Sequence, residues 1–151
     1  MPINYFLASI VSYLGLLVGV ILTKLAPEEQ SAGRKYFVLA KQILFFLMAA
    51  FLLVYYKINF ILSLFLLLFL AIIMINKQLK LDKPVFDYVF LGIIFSISSG
   101  ITGLFIIESA LIFLYGPPFA SLAFNPKRNN YREVFAYNLW FFVPVVLLYP
   151  I

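Results

Sequence analysis

Glu108 is the only acid well inside an apolar run of this 151-residue sequence, which contains no histidine and no cysteine. An ionisable group in such a run is costly to bury and marks a functional site by default. The chemistry open to it is the binding of a proton or a cation. Lys41 and Asn138 sit at comparable depths in other apolar runs, with Gln42 and Tyr137 beside them. These five residues form one candidate intramembrane polar cluster on the basic side of the protein. Two roles are open to the cluster. In one, Glu108 pairs with Lys41, the amides fill the remaining hydrogen bonds, and the group specifies helix packing. In the other, Glu108 is protonatable in a cavity open to the basic side, as coupled transport requires.

Other chemistries fail for want of residues. The absence of histidine removes the usual general base and the commonest metal ligand. The absence of cysteine removes disulfides, thiolate nucleophiles and thiolate metal sites. An intramembrane Ser–His protease is excluded, and an intramembrane aspartyl protease lacks its second buried aspartate. The pair Glu28-Glu29, followed by Arg34, lies in a loop without histidines, so it reads as a solvated capping turn. No metal or other cofactor is expected, and no catalytic residue is assigned.

Two further features involve packing and lipid. Ala8, Ser12, Gly15, Gly19 and Thr23 recur at helical spacing and include one Gly-x-x-x-Gly. Such a ridge lets two backbones approach closely, either within the chain or between copies of it. Lys127, Arg128 and Arg132 are candidate contacts to anionic lipid headgroups, since each basic residue near a membrane surface gains about 1 kcal/mol.

The elements that must hold these residues are apolar helices. The chain is 65% hydrophobic and only 11% charged, against roughly 45–50% and 25% in soluble domains. A soluble chain of this size cannot hide so much apolar surface, so lipid must be the second solvent. Continuous apolar runs argue against a transmembrane β-barrel, whose strands alternate. The expected spans are residues 3–25, 36–56, 60–75 and 134–149, with residues 85–115 too long for one ordinary crossing. Residues 3–25 lack a basic n-region and are expected to remain as a span. A short turn over residues 26–33 is expected to end at Gly33. Gly116-Pro117-Pro118 is expected to break the chain and open its longest loop, with residues 119–124 in the interface. Pro144 is expected to kink the last span.

Charge placement counts the crossings. Of the 11 Lys and Arg residues, all but Lys57 fall in or beside residues 24–41, 77–83 and 127–132. If residues 85–115 cross twice, turning at Ser99-Gly100, these three segments share one side and the positive-inside rule holds throughout. A single crossing would leave seven basic residues against four. The expectation is an all-α, polytopic integral membrane bundle of six passes in a single domain over residues 1–151. The fourth and fifth passes would be short, or a re-entrant hairpin. The basic loops would be cytoplasmic and both termini on the opposite side. A net charge of +5 then reports orientation rather than nucleic-acid binding.

The aromatic-rich, nearly charge-free spans suit a non-enzymatic protein that acts by helix packing, as a homo-oligomer or as a subunit of a larger membrane complex. The alternative is a small oligomeric proton- or cation-coupled transporter that uses Glu108.

Overall fold

A computed structural model describes residues 2–75 and 84–149, so the expected basic loop at residues 77–83 lies outside the described residues. Every regular element among the described residues is helical. They are α1 (Pro2–Leu25), α2 (Pro27–Tyr55), α3 (Phe60–Ile75), α4 (Pro84–Ser98), α5 (Thr102–Ala123), α6 (Tyr131–Asn138) and α7 (Phe142–Leu147), with a one-turn 3₁₀ segment at Leu139–Phe141. Three of them, α1, α2 and α5, are long and apolar enough to cross a membrane, whereas α3 and the apolar part of α4 are shorter.

Local sequence accounts for most boundaries. Pro27 begins α2 and Glu28 and Glu29 occupy its first turn, where a missing N–H costs nothing and negative charge meets the positive end of the helix dipole. Lys57 then takes a left-handed conformation, with φ 52°, and turns the chain into α3. Asn125 and Asn130 organise the connection after α5. The Asn130 side chain accepts from the Asn125 N–H at 2.8 Å, and the Asn125 side chain accepts from the Lys127 N–H at 3.0 Å.

Two expected breaks are not breaks. The helix α2 runs unbroken through Gly33, which sits under the Phe37 ring, where a Cβ would come within 2.9 Å. The helix α5 runs through Gly116-Pro117-Pro118 to Ala123. Pro inside a helix removes a hydrogen bond and costs about 3 kcal/mol in isolation. Here the gap is filled from another helix. Pro117 leaves the Phe113 carbonyl without its i+4 donor, and Gly15 of α1 packs directly against that carbonyl. Ser121 turns its hydroxyl back onto the Pro117 carbonyl at 2.9 Å. The fifth helix is therefore long, at about 33 Å for 22 residues, and residues 119–124 lie in or against the bundle rather than in an interfacial loop.

The helix α5 is the centre of the fold, packing most extensively against α1 and then α2. Paired residues give the directions. Ser12 meets Ser109 and Thr23 meets Ser121, so α1 and α5 are parallel. Gln30 reaches Ser121 and Tyr55 reaches Gly103, so α2 is antiparallel to α5. Tyr88 lies beside Phe119 and Phe95 beside Phe105, so α4 is antiparallel as well.

The helix ends sort accordingly. Lys24, the start of α2, the end of α5 and the start of α6 share one end, where Lys24 lies over the Phe124 and Tyr131 rings at 5.7 and 5.1 Å. Tyr56 and the turn after α4 share the other, where the Tyr56 hydroxyl donates to the Ile97 carbonyl at 2.6 Å. The α4–α5 hairpin thus traverses the bundle instead of dipping part-way into it. The expected kink near Pro144 is the 3₁₀ turn that precedes it.

Candidate functional site

The face of α5 that carries Leu104, Glu108, Ile112, Tyr115 and Phe119 is buried. These positions repeat every three or four residues, so they form one stripe. Its two best-defined members point into the seam between α2 and α4. The Tyr115 hydroxyl donates to Asp87 Oδ2 at 3.1 Å, while its ring lies 6.5 Å from Phe45 of α2. Phe119 lies 5.0 Å from Tyr88 of α4 and beneath Lys41 of α2, whose Nζ is 5.4 Å from the ring centroid. Glu108 precedes Tyr115 by seven residues, close to two full turns, and so faces the same seam.

The expected cluster does not assemble. Lys41 pairs with Asp87 at 2.5 Å and not with Glu108. Glu108 is 0% exposed, and neither of its carboxyl oxygens has a hydrogen-bond partner. Asn138 is also fully buried. Its amide donates to the Val134 carbonyl at 2.6 Å, but its Oδ1 is unpartnered. Tyr137 is exposed on the outer face of α6, and Gln42 is half-buried on α2.

The physical reason is the length of α5. With the helix continuing to Ala123, Glu108 lies about 22 Å from its basic end and only about 9 Å from Thr102. It therefore sits in the opposite half of the bundle from the one expected. Asp87, at the depth of Tyr115, takes the lysine instead. Its place in the first turn of α4 was the available signal, because that turn and Lys41 lie near the same basic side.

An unpaired carboxylate in an apolar site is far more expensive than a hydrogen-bonded one. No group of three or more His, Cys, Asp or Glu side chains comes together among the described residues. The interior therefore offers Glu108 as an isolated carboxyl rather than as part of a metal cage.

The remaining sequence features are placed as follows. Ser12, Gly15, Gly19 and Thr23 are buried and Ala8 half-buried, with the ridge turned onto α5. Ser12 donates to the Ser109 carbonyl at 3.1 Å, and a Cβ on Gly19 would come within 2.6 Å of Ala120. The ridge is consumed inside the chain. Its partner Gly116, against Gly15 and Leu16, was hidden in the sequence by the prolines beside it. Lys127, Arg128 and Arg132 are exposed at the basic end, with Arg132 5.9 Å from the Tyr131 ring. Gln30 clamps the end of α5, donating to the Ser121 carbonyl at 2.8 Å and the Phe124 carbonyl at 2.5 Å.

No protein-family model matches the chain, and no curated protein and no solved structure matches it either.

Proposed function

We propose that the chain is an integral membrane protein that crosses the bilayer six times, with its basic loops cytoplasmic, and that it carries a proton or small cation on Glu108. Several observations support membrane residence. Large apolar side chains remain exposed along α1, α2 and α3, a surface that water would not tolerate over such an area. Helix direction alternates along the chain, and the basic residues near Lys24 and Lys127 fall at one end of the bundle. That is the arrangement expected from the positive-inside rule.

The observation that carries the function is the isolation of Glu108. It is fully buried on the helix around which the others pack, and its oxygens meet no donor. A buried unpaired charge is prohibitively costly, so in a closed bundle the carboxylate must hold a neutralising ion. A metal cation needs several oxygen ligands, and no group of three or more His, Cys, Asp or Glu side chains gathers among the described residues. The proton is therefore the better-supported cargo. The test is proton uptake into vesicles reconstituted with the protein, driven by a potassium diffusion potential and read by a trapped pH dye. Uptake above that of empty vesicles is expected, and Glu108→Gln abolishes it. Equal uptake in that variant would overturn the assignment.

A second reading has its own observation. Among the described residues, the helix α3 packs broadly against α2 alone, and most of its described side chains are exposed. A hairpin so loosely attached suits a subunit that docks into a larger membrane assembly. Co-purification of a fixed partner in mild detergent supports this reading, and a monodisperse single chain counts against it.

A further inference from the structure

We propose that the seam between α2 and α4 is the access route to Glu108, and that the Lys41–Asp87 ion pair is its gate on the basic side. This rests on the reading of Glu108 as an ion-carrying residue. The argument begins with the packing. Both α2 and α4 lie against α5, but they touch each other over much less surface. Two polar contacts bridge them at opposite ends of the seam. One is the Lys41–Asp87 pair, joined by the Tyr115 hydroxyl. The other is the Tyr56 hydroxyl donating to the Ile97 carbonyl. Glu108 lies between these two ties on the α5 stripe that floors the seam.

The ion pair has the properties of a gate. Its side chains are 25% and 22% exposed, so it meets the outside, whereas Glu108 is fully buried. Tyr115 lies at the pair and Ile112 between it and Glu108 on the stripe, and both are buried. The depth between Tyr115 and Glu108 is about 10 Å along the helix. Parting Lys41 from Asp87 loses the only ion pair formed among the described residues and frees the cation to turn toward the surface. Lys is long enough to do so, since its stem packs on apolar surface while its amine reaches water. The Phe119 ring beneath Lys41 is left behind as an apolar wall. At the other end, Leu104 is fully buried below the Tyr56 contact. Opening one tie while the other holds would expose Glu108 to one side only, which is what a carrier requires.

The chain has no cysteine of its own, so the seam can be probed by a single introduced thiol. Ile112→Cys places it one turn from Glu108 while leaving the carboxyl intact. The protein is reconstituted in sealed vesicles with its basic loops outward, an orientation checked by labelling Asn129→Cys. A small, charged, membrane-impermeant methanethiosulfonate is then added outside. Slow modification is expected with the ion pair intact. Asp87→Asn, and separately Lys41→Met, should accelerate it about tenfold or more, as expected when the open population rises by that factor. The exchange Lys41→Asp with Asp87→Lys should restore the slow rate, because it restores the pair. Tyr56→Phe is the control for general loosening and should leave outside labelling slow.

Unchanged rates in both single variants would overturn the gate. So would equal acceleration by Tyr56→Phe, or failure of the exchange variant to slow labelling while remaining monodisperse. The two proposals fail separately. Loss of proton uptake in Glu108→Gln with no change in labelling keeps the function and removes the gate. Faster labelling with uptake insensitive to Glu108→Gln keeps the seam and removes the function.

Discussion

Gly15 of α1 packs against the carbonyl of Phe113 in α5, the carbonyl that Pro117 deprives of its helical donor. The carbonyl oxygen lies directly beyond the place a Cβ would take, in the direction of the second Cα hydrogen of the glycine. That is the geometry of a Cα–H···O contact, common where helices approach closely. One residue without a side chain thus seals a defect made by another residue 102 places away in sequence.

Any side chain at Gly15 must push two backbones apart. Gly15→Ala is expected to cost about 1–3 kcal/mol, the usual range for overpacking. Gly100→Ala is the matched control. Its Cβ would meet only ordinary contacts, the nearest being the Tyr56 hydroxyl at 3.5 Å, so its thermal midpoint should stay close to that of the parent. A differential scanning measurement in detergent checks both. Equal tolerance at the two positions would contradict the α1–α5 contact.

If Glu108 carries the proposed proton, it sets stability against function. Replacing a buried polar group that has no partner by an apolar one of similar shape removes its desolvation penalty. Glu108→Met should therefore raise the unfolding free energy by about 1–3 kcal/mol while abolishing proton uptake. A loss of stability would mean that the carboxyl has a structural partner after all.

Gln30 is expected to matter through donation. Its amide serves two carbonyls at the end of α5. Gln30→Ala leaves both without that donor and should cost about 1–2 kcal/mol. Gln30→Glu, which cannot donate when ionised, should be no better. Indistinguishable thermal midpoints across the three proteins would show that water replaces the clamp.

The hairpin of α4 and α5 makes a prediction about sides. Thr102 and Asn129 are both exposed and lie at opposite ends of the bundle. In sealed vesicles an impermeant maleimide should label Thr102→Cys from one side and Asn129→Cys from the other. Labelling of both from the same side would refute six full crossings.

The all-helical fold of this protein, with helices long and apolar enough to cross a membrane, was legible in its sequence. Composition and the length of apolar runs are local quantities, and they need no partner to be read. The alternation of Lys24, Lys57 and Lys127 between ends was legible for the same reason, since each basic residue reports on the turn beside it. Gly116-Pro117-Pro118 misled because its local meaning is a break, whereas α1 supplies from a distance what the prolines remove. That single continuation moved the basic end of α5 two turns past Tyr115. It carried Glu108 out of reach of Lys41 and left Asp87 to take the lysine. Residue types and spacing determined that one carboxyl would lie deep in an apolar helix. Only tertiary structure decided that it would lie there alone, because its isolation depends on where helices from distant parts of the chain meet.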